Sequence, residues 1–520
     1  MLNLQVASER VYLLRFFMLI LLLSNTACGL SAAAATDIKS VNTVGLSRFD
    51  LRALPWANLF YQLDCLSGQG HCSQASYREL WQNLGWQSRD EQSLKEWQIL
   101  KARYSRQIQL SKSEPMALPG RFDGIRIWDK VRQAAMNSHR RQDLAINLSA
   151  ILKPADAEKL LEILDSFYPR FEPWWTRSGK SLAESGAKRF AELLQTRQSP
   201  NLPELIEQAS RFYQADLSQW SVLAFNFIAR PIGGDDNLNG EQVENQSMVE
   251  IKANSNPDSH LDVVIHELCH YLFARMGATK EKALIDHFVA ANTVQAIGAY
   301  NLLNEVLATS IGNGLVNQML MPADRFERYL KTEKSFYNDP FIDPVAKALY
   351  PRLAQALQQK QTLTDPGFVQ DYLKLAQQAL GQRLNQPTLL LRTMAAVYEG
   401  PEMLEYINQL QGKLRVGSSY GANAFDANAR SLFADFAAIS GVILLKSEQI
   451  DRLKDWQSIL STKGYQELQA LAQARKPALY GIKRSAQSYI FVLIAPNSKD
   501  FTALLDRFSQ IDQSFEGLWP

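Results

Sequence analysis

Residues 261–274 read Leu261-Asp-Val-Val-Ile-His266-Glu267-Leu-Cys-His270-Tyr-Leu-Phe-Ala. Leu261, Ile265, Leu268 and Leu272 recur at three- and four-residue spacing, which predicts an amphipathic helix. Asn256-Pro257 or Ser259 supplies its start, because a short polar side chain satisfies the first free N–H groups and proline fits the first turn. Residues four apart share a helix face, so His266 and His270 aim their imidazoles at one point, with Glu267 beside it. Two neutral imidazoles so placed suit zinc, which takes nitrogen ligands in a tetrahedral shell. The chain has only six histidines in 520 residues. At that abundance a His-Glu-x-x-His match is expected by chance in fewer than about one such chain in a hundred. Cys269, inside the motif, reads as a small buried hydrophobe.

A hydrolytic zinc site needs a third protein ligand and one position left for water. Downstream, Asn304-Glu305-Val306-Leu307-Ala308 sits in a helical stretch of apolar and small residues. An unpaired carboxylate would be costly there, so a metal is a natural partner for Glu305. His287 and Asp286, between the two segments, are the other residues that can supply the third ligand.

With HELCH and NEVLA in place, residues 247–314 resemble the gluzincin family of zinc metallopeptidases, in which a Glu from a second helix joins an HExxH helix. The metzincin scheme fails, since Phe273 and Met276 stand where it needs Gly and His, and Asp286 lacks the G-T-x-D context of aspzincins. The resemblance implies a thermolysin-like core, zinc held by His266, His270 and Glu305, Glu267 as general base, and a peptide or protein substrate. It also implies an oxyanion-stabilising side chain from a later segment; Tyr420, in the loop Gly417-Ser-Ser-Tyr-Gly, is the candidate. Residues 248–251 resemble the edge strand against which such enzymes lay an extended peptide.

The flanks predict an α+β, mainly helical chain. Residues 41–216 form a helical N-terminal domain, with apolar residues at helical spacing in SYRELWQNLGW and DAEKLLEILDSFY. Residues 217–385 form the zinc domain, with strand-like runs at 221–230 and 247–252 around the polar loop GGDDNLNGEQVENQ. Asp235, Asn237, Asn239 and Gly240 in that loop imitate the opening of a calcium-binding loop, but Gln246 stands where its closing Glu belongs. Residues 386–520 read as helices followed by a small α/β subdomain, with buried strands at GVILLK and SYIFVLIAP. FEPWW at 171–175 reads as a core or interdomain contact.

The first 35 residues have the order of an export signal: Arg10 and Arg15, the apolar run FFMLILLL, then small residues ending at Ala35. Thr26-Ala27-Cys28-Gly29 also matches part of a lipoprotein signal, which would anchor the chain to a membrane through lipidated Cys28. Cys65 and Cys72 bracket a short polar loop that a disulfide can close in a periplasmic or extracellular compartment. A net charge of +2, from 55 basic and 53 acidic residues, gives no basic stripe for nucleic acid. Two further functions compete with a peptidase: an envelope binding or assembly protein that keeps the zinc helix as structure, and a zinc hydrolase acting on a non-peptide amide. Against the first, a structural zinc site has no use for Glu267.

Overall fold

The structure, a computed structural model, describes residues 48–68, 72, 74–105, 108–110, 116–119, 124–196, 201–216, 222–231 and 238–519. The export signal, Cys28, Asp235 and Asn237 lie outside these residues. Residues Ser40–Pro520 form one compact unit. The architecture is mixed α+β and mainly helical. Among the described residues no helix is long and apolar enough to cross a membrane.

Strand β1 (Arg48–Arg52) opens the fold, a short hairpin of β2 (Ile108–Leu110) and β3 (Gly124–Arg126) follows, and then come β4 (Val222–Arg230), β5 (Gly240–Val243) and β6 (Gln246–Lys252). The first sheet has the order β1-β4-β6-β5. β1, β4 and β6 run parallel and β5 runs antiparallel at the edge. β1 comes from the segment read as N-terminal domain, so the sheet is shared between that segment and the region of the His266 motif. The run LAFNFIAR in β4 is buried throughout, as befits a strand covered on both faces. Helix Lys180–Gln195 covers one face at Gly186, where a Cβ would sit 2.6 Å from Ile251 Cδ1. Helix Pro55–Leu66 also packs on β4, Asn58 donating to Phe227 O and accepting from Ala229 N–H.

Residues 248–251 were expected at the sheet edge, and the structure corrects this. β6 is paired on both sides, with β4 and β5, and its Met248 and Val249 are buried. The edge belongs to β5, whose sequence GEQV is too polar to announce a strand. Asn239 donates from its backbone and side chain to buried Glu250, and Gly240 starts β5. Gln246 is a strand residue paired with Val243. The closing half of the calcium-like loop is therefore sheet.

The second sheet holds β7 (Thr393–Val397), β8 (Ser418–Ala422), β9 (Ser440–Lys446), β10 (Ala478–Lys483), β11 (Tyr489–Ala495) and β12 (Gly517–Leu518) in the order β12-β10-β11-β9-β7-β8. β8, β7, β9 and β11 are parallel, and β10 is antiparallel to both of its neighbours. Helices Pro401–Leu414 and Ser498–Ser509 pack together, with Tyr406 stacked on Phe501. In FEPWW, Phe171 and Trp175 are buried in the core with ring centroids 5.8 Å apart, while Glu172 and Pro173 between them are exposed. Cys65 and Cys72 are joined as a disulfide.

Candidate metal centre

The motif helix runs Leu261–Ala274 after a single 3₁₀ turn at Pro257–His260, and the Asn256 side chain accepts the Asp258 N–H at its start. A second helix, Val294–Thr309, brings Glu305; it is capped by Thr293, which accepts the Ala296 N–H. The two pack together, and β5 lies against the motif helix as well. This packing puts His266 Nε2 3.0 Å from His270 Nε2. Glu305 Oε2 lies 3.5 Å from His266 Nε2, and Glu305 Oε1 lies 3.5 Å from His270 Nε2. Neighbouring donors in a tetrahedral zinc shell are about 3.3 Å apart for bonds near 2.0–2.1 Å. Edges of 3.0, 3.5 and 3.5 Å bracket that value, so the donor set fits the ion. The His266 and His270 side chains are 7% and 13% exposed and that of Glu305 is 33% exposed, so the triangle opens on the Glu305 side.

Glu267 is also within 4.8 Å of the two histidines, counted between ligand atoms. It differs from Glu305 in direction. A Cβ on Gly240 of β5 would collide with the Glu267 carboxylate, so this side chain is pressed against the edge strand. Burial pushes its carboxyl up to about 8, Glu305 and Glu241 add to the rise, and His266 opposes it. Burial would raise Glu305 too, but His270 and His266 hold it well below the usual carboxylate range. Glu305 is therefore the anion that faces the histidines, and Glu267 is a carboxyl poised to take or give a proton.

A π-helical turn, Ser310–Val316, continues the Glu305 helix and packs on the motif helix. Such wide turns are frequent at functional sites. This one sets Asn313 Oδ1 3.3 Å from His266 Nδ1, while Asn313 Nδ2 donates to Asp262 at 3.1 Å. The carboxylate fixes the amide orientation, so Asn313 Oδ1 accepts from His266 Nδ1–H and the Nε2 lone pair is left for the triangle.

No described contact joins Tyr420 to this triangle. It lies in β8, a short strand rather than a loop, in register with Ala395, and its ring packs near Phe436. Small and polar residues on an edge strand hid β8 from the sequence. The tyrosine that the fold delivers is Tyr337, which sequence reasoning missed. Its ring stacks on His266, centroids 5.6 Å apart and planes 11° from parallel. The Glu305 carboxylate first, then burial and Glu267, push the pKa of its hydroxyl well above that of an ordinary phenol. The other third-ligand candidates point elsewhere: His287 Nε2 meets Thr364 O at 3.2 Å, and Asp286 pairs with Lys282 on an exposed helix face. Cys269 is buried, and burial pushes its thiol up.

Comparison with known proteins supplies no relative: no family model, no curated protein and no solved structure matches the chain.

Proposed function

We propose that this protein is an exported zinc-dependent peptidase with a gluzincin-like core. The observation that carries the reading is the triangle of His266 Nε2, His270 Nε2 and the Glu305 carboxylate at zinc-shell spacing, with a second carboxyl, Glu267, beside it. A bound zinc would supply Lewis acidity and lower the pKa of a bound water towards about 7. Glu267 takes the proton of the attacking water and returns it to the departing amine. With a dication held by His266, His270 and Glu305, the local balance that keeps the Glu267 carboxyl protonated would reverse and its base form would be accessible near neutrality. The Tyr337 hydroxyl donates to the oxygen that gains negative charge.

β5 gives this reading its substrate. Asn239 O accepts from Glu250 N–H, so by alternation Glu241 and Val243 bond to β6 while Gly240 and Gln242 turn their backbone groups outward. An extended peptide added there would run alongside Glu267, with main-chain bonds giving affinity for any sequence. A zinc amidohydrolase of non-peptide substrates would share the metal chemistry but has no use for an edge strand beside it. A binding protein with a structural zinc has no use for Glu267.

The test is the zinc content and peptide-library cleavage of the mature protein beside Glu305→Ala and Glu267→Ala. About one zinc per chain is expected in the wild type, lost in Glu305→Ala and kept in Glu267→Ala, with cleavage in the wild type alone. A wild type that takes up no zinc on reconstitution would sink the reading. Zinc retained in Glu305→Ala would make Glu267 the third ligand and leave the site without its base.

A further inference from the structure

The loop that carries Tyr337, residues 332–341, has no regular structure of its own, yet it places a ring against His266. Two carboxylates shape it. Asp343 accepts from the backbone N–H of Lys334, Phe336 and Tyr337 at 3.2, 2.9 and 3.3 Å. Asp339, 2% exposed, accepts with Oδ1 from the N–H of Phe341 and Ile342 at 2.8 and 3.1 Å. Its backbone N–H donates to Tyr337 O at 2.8 Å, which ties the two residues directly.

The other oxygen of Asp339 leaves the loop. Oδ2 accepts from Arg392 Nη2 and from Arg415 Nη1, each at 2.9 Å. Arg392 immediately precedes β7, and its carbonyl accepts from Gly417 and Ser418 at the start of β8. Arg415 caps the C-terminus of helix Pro401–Leu414 in a left-handed conformation. Both guanidinium groups therefore issue from one side of the second sheet, which itself supplies no side chain to the triangle. The Arg392 side chain is 9% exposed and that of Arg415 is 54% exposed. The first pair is shielded from solvent and the second is open to it.

We propose that Asp339 is a positioning residue for the site: gripped by Arg392 and Arg415, it couples the C-terminal α/β layer to the Tyr337 loop and holds the Tyr337 ring against His266. As a statement about turnover this rests on the zinc-peptidase reading; as a statement about where Tyr337 sits it does not. Carboxylate at Asp339 is required because two guanidinium groups converge on one oxygen, and a neutral amide there leaves the buried Arg392 charge without its counter-ion.

The experiment places 3-fluorotyrosine at position 337 of the full mature chain and reads its ¹⁹F resonance without metal, in wild type, Asp339→Asn, Arg392→Gln and Arg415→Gln. The wild type should show one resonance displaced from free fluorotyrosine by the His266 ring. Asp339→Asn and Arg392→Gln should move it towards the free value, with Arg415→Gln taking a smaller step the same way. On the peptide substrate of the wild type, kcat should fall about 10–100-fold in Asp339→Asn with KM little changed. Folded variants that keep the wild-type resonance would overturn the proposal. If Asp339→Asn does not fold, Arg415→Gln decides alone, since its guanidinium is half exposed and its loss leaves the Arg392 pair intact. A resonance that moves as expected in a chain that binds no zinc would uphold the clamp and sink the peptidase reading.

Discussion

Tyr337 and His266 stack face to face, centroids 5.6 Å apart, although they stand 71 positions apart in the chain and no regular element carries the tyrosine. The stack uses the ring while the hydroxyl feels the Glu305 charge, so one substitution separates the two. Tyr337→Phe keeps the ring and removes the donor. We expect zinc content and thermal midpoint close to wild type, KM little changed, and kcat lower by about 10²–10³-fold, the cost of one oxyanion donor. Equal kcat in the two proteins would remove Tyr337 from the chemistry.

Gly240 faces a second test. Any side chain there meets the Glu267 carboxylate, so Gly240→Ala must push either the strand or the base aside. Overpacking of this kind costs about 1–3 kcal/mol. The ligand triangle does not touch β5, so zinc content should stay at the wild-type level. Hydrolysis should fall by on the order of 10²-fold as Glu267 leaves its position. A fully active Gly240→Ala enzyme would mean that Glu267 works from another rotamer.

The orientation of His266 depends on Asn313, and Asn317 provides the control. Both amides donate to Asp262 at 3.1 Å, but Asn313 alone reaches the imidazole. Asn313→Ala should weaken zinc binding about 10–100-fold, the usual cost of losing such a partner, in a chelator competition titration. Asn317→Ala should weaken it much less. Equal losses would assign the effect to Asp262 and to packing instead.

How much of this was legible beforehand follows from what kind of force sets each part. The motif helix, β4, β6, β9 and β11 are apolar runs or periodic stripes, and they appear where hydrophobic pattern puts them. β5 and β8 are edge strands of polar and small residues, held by ladder bonds that leave no pattern in GEQV or SSYGA. Residues 248–251 resemble the edge strand of the gluzincin scheme, but their apolar character marks the interior of the sheet instead. Tyr337 was invisible for a different reason. Its place is set by Asp339 and by arginines 53 and 76 residues further along the chain. The local signal was the pair Asp339 and Asp343 flanking Pro340-Phe341-Ile342, side chains suited to accepting loop N–H groups.

Acid should loosen the same site from the side of the N-terminal helices. Buried Asp64 accepts from Lys101 at 2.8 Å and from Arg132 at 3.0 Å, and Arg132 also grips Glu241 on β5. Burial raises the Asp64 carboxyl, but Arg132 and Lys101 outweigh it and bring it from 3.8 to about 2. A carboxyl lowered on folding stabilises fully above its unfolded value, and that contribution is lost as pH falls from about 4 towards 2. It amounts to about 2 kcal/mol. Lys101 offers no matching gain at alkaline pH, because burial and Arg132 hold it below its ordinary value despite its pairing with Asp64. Glu267, raised from 4.5 to about 8, slopes the other way: in the metal-free protein its burial costs stability as pH rises through that interval. Comparing wild type with Asp64→Asn at each pH isolates the Asp64 share. At pH 6 the variant should be less stable by about 3–5 kcal/mol, since two buried cations lose their partner. In urea unfolding the gap should narrow by about 2 kcal/mol between pH 6 and pH 2. Parallel curves over that range would show that Asp64 binds its proton alike in the folded and unfolded chain, and that the grip on β5 does not depend on its charge.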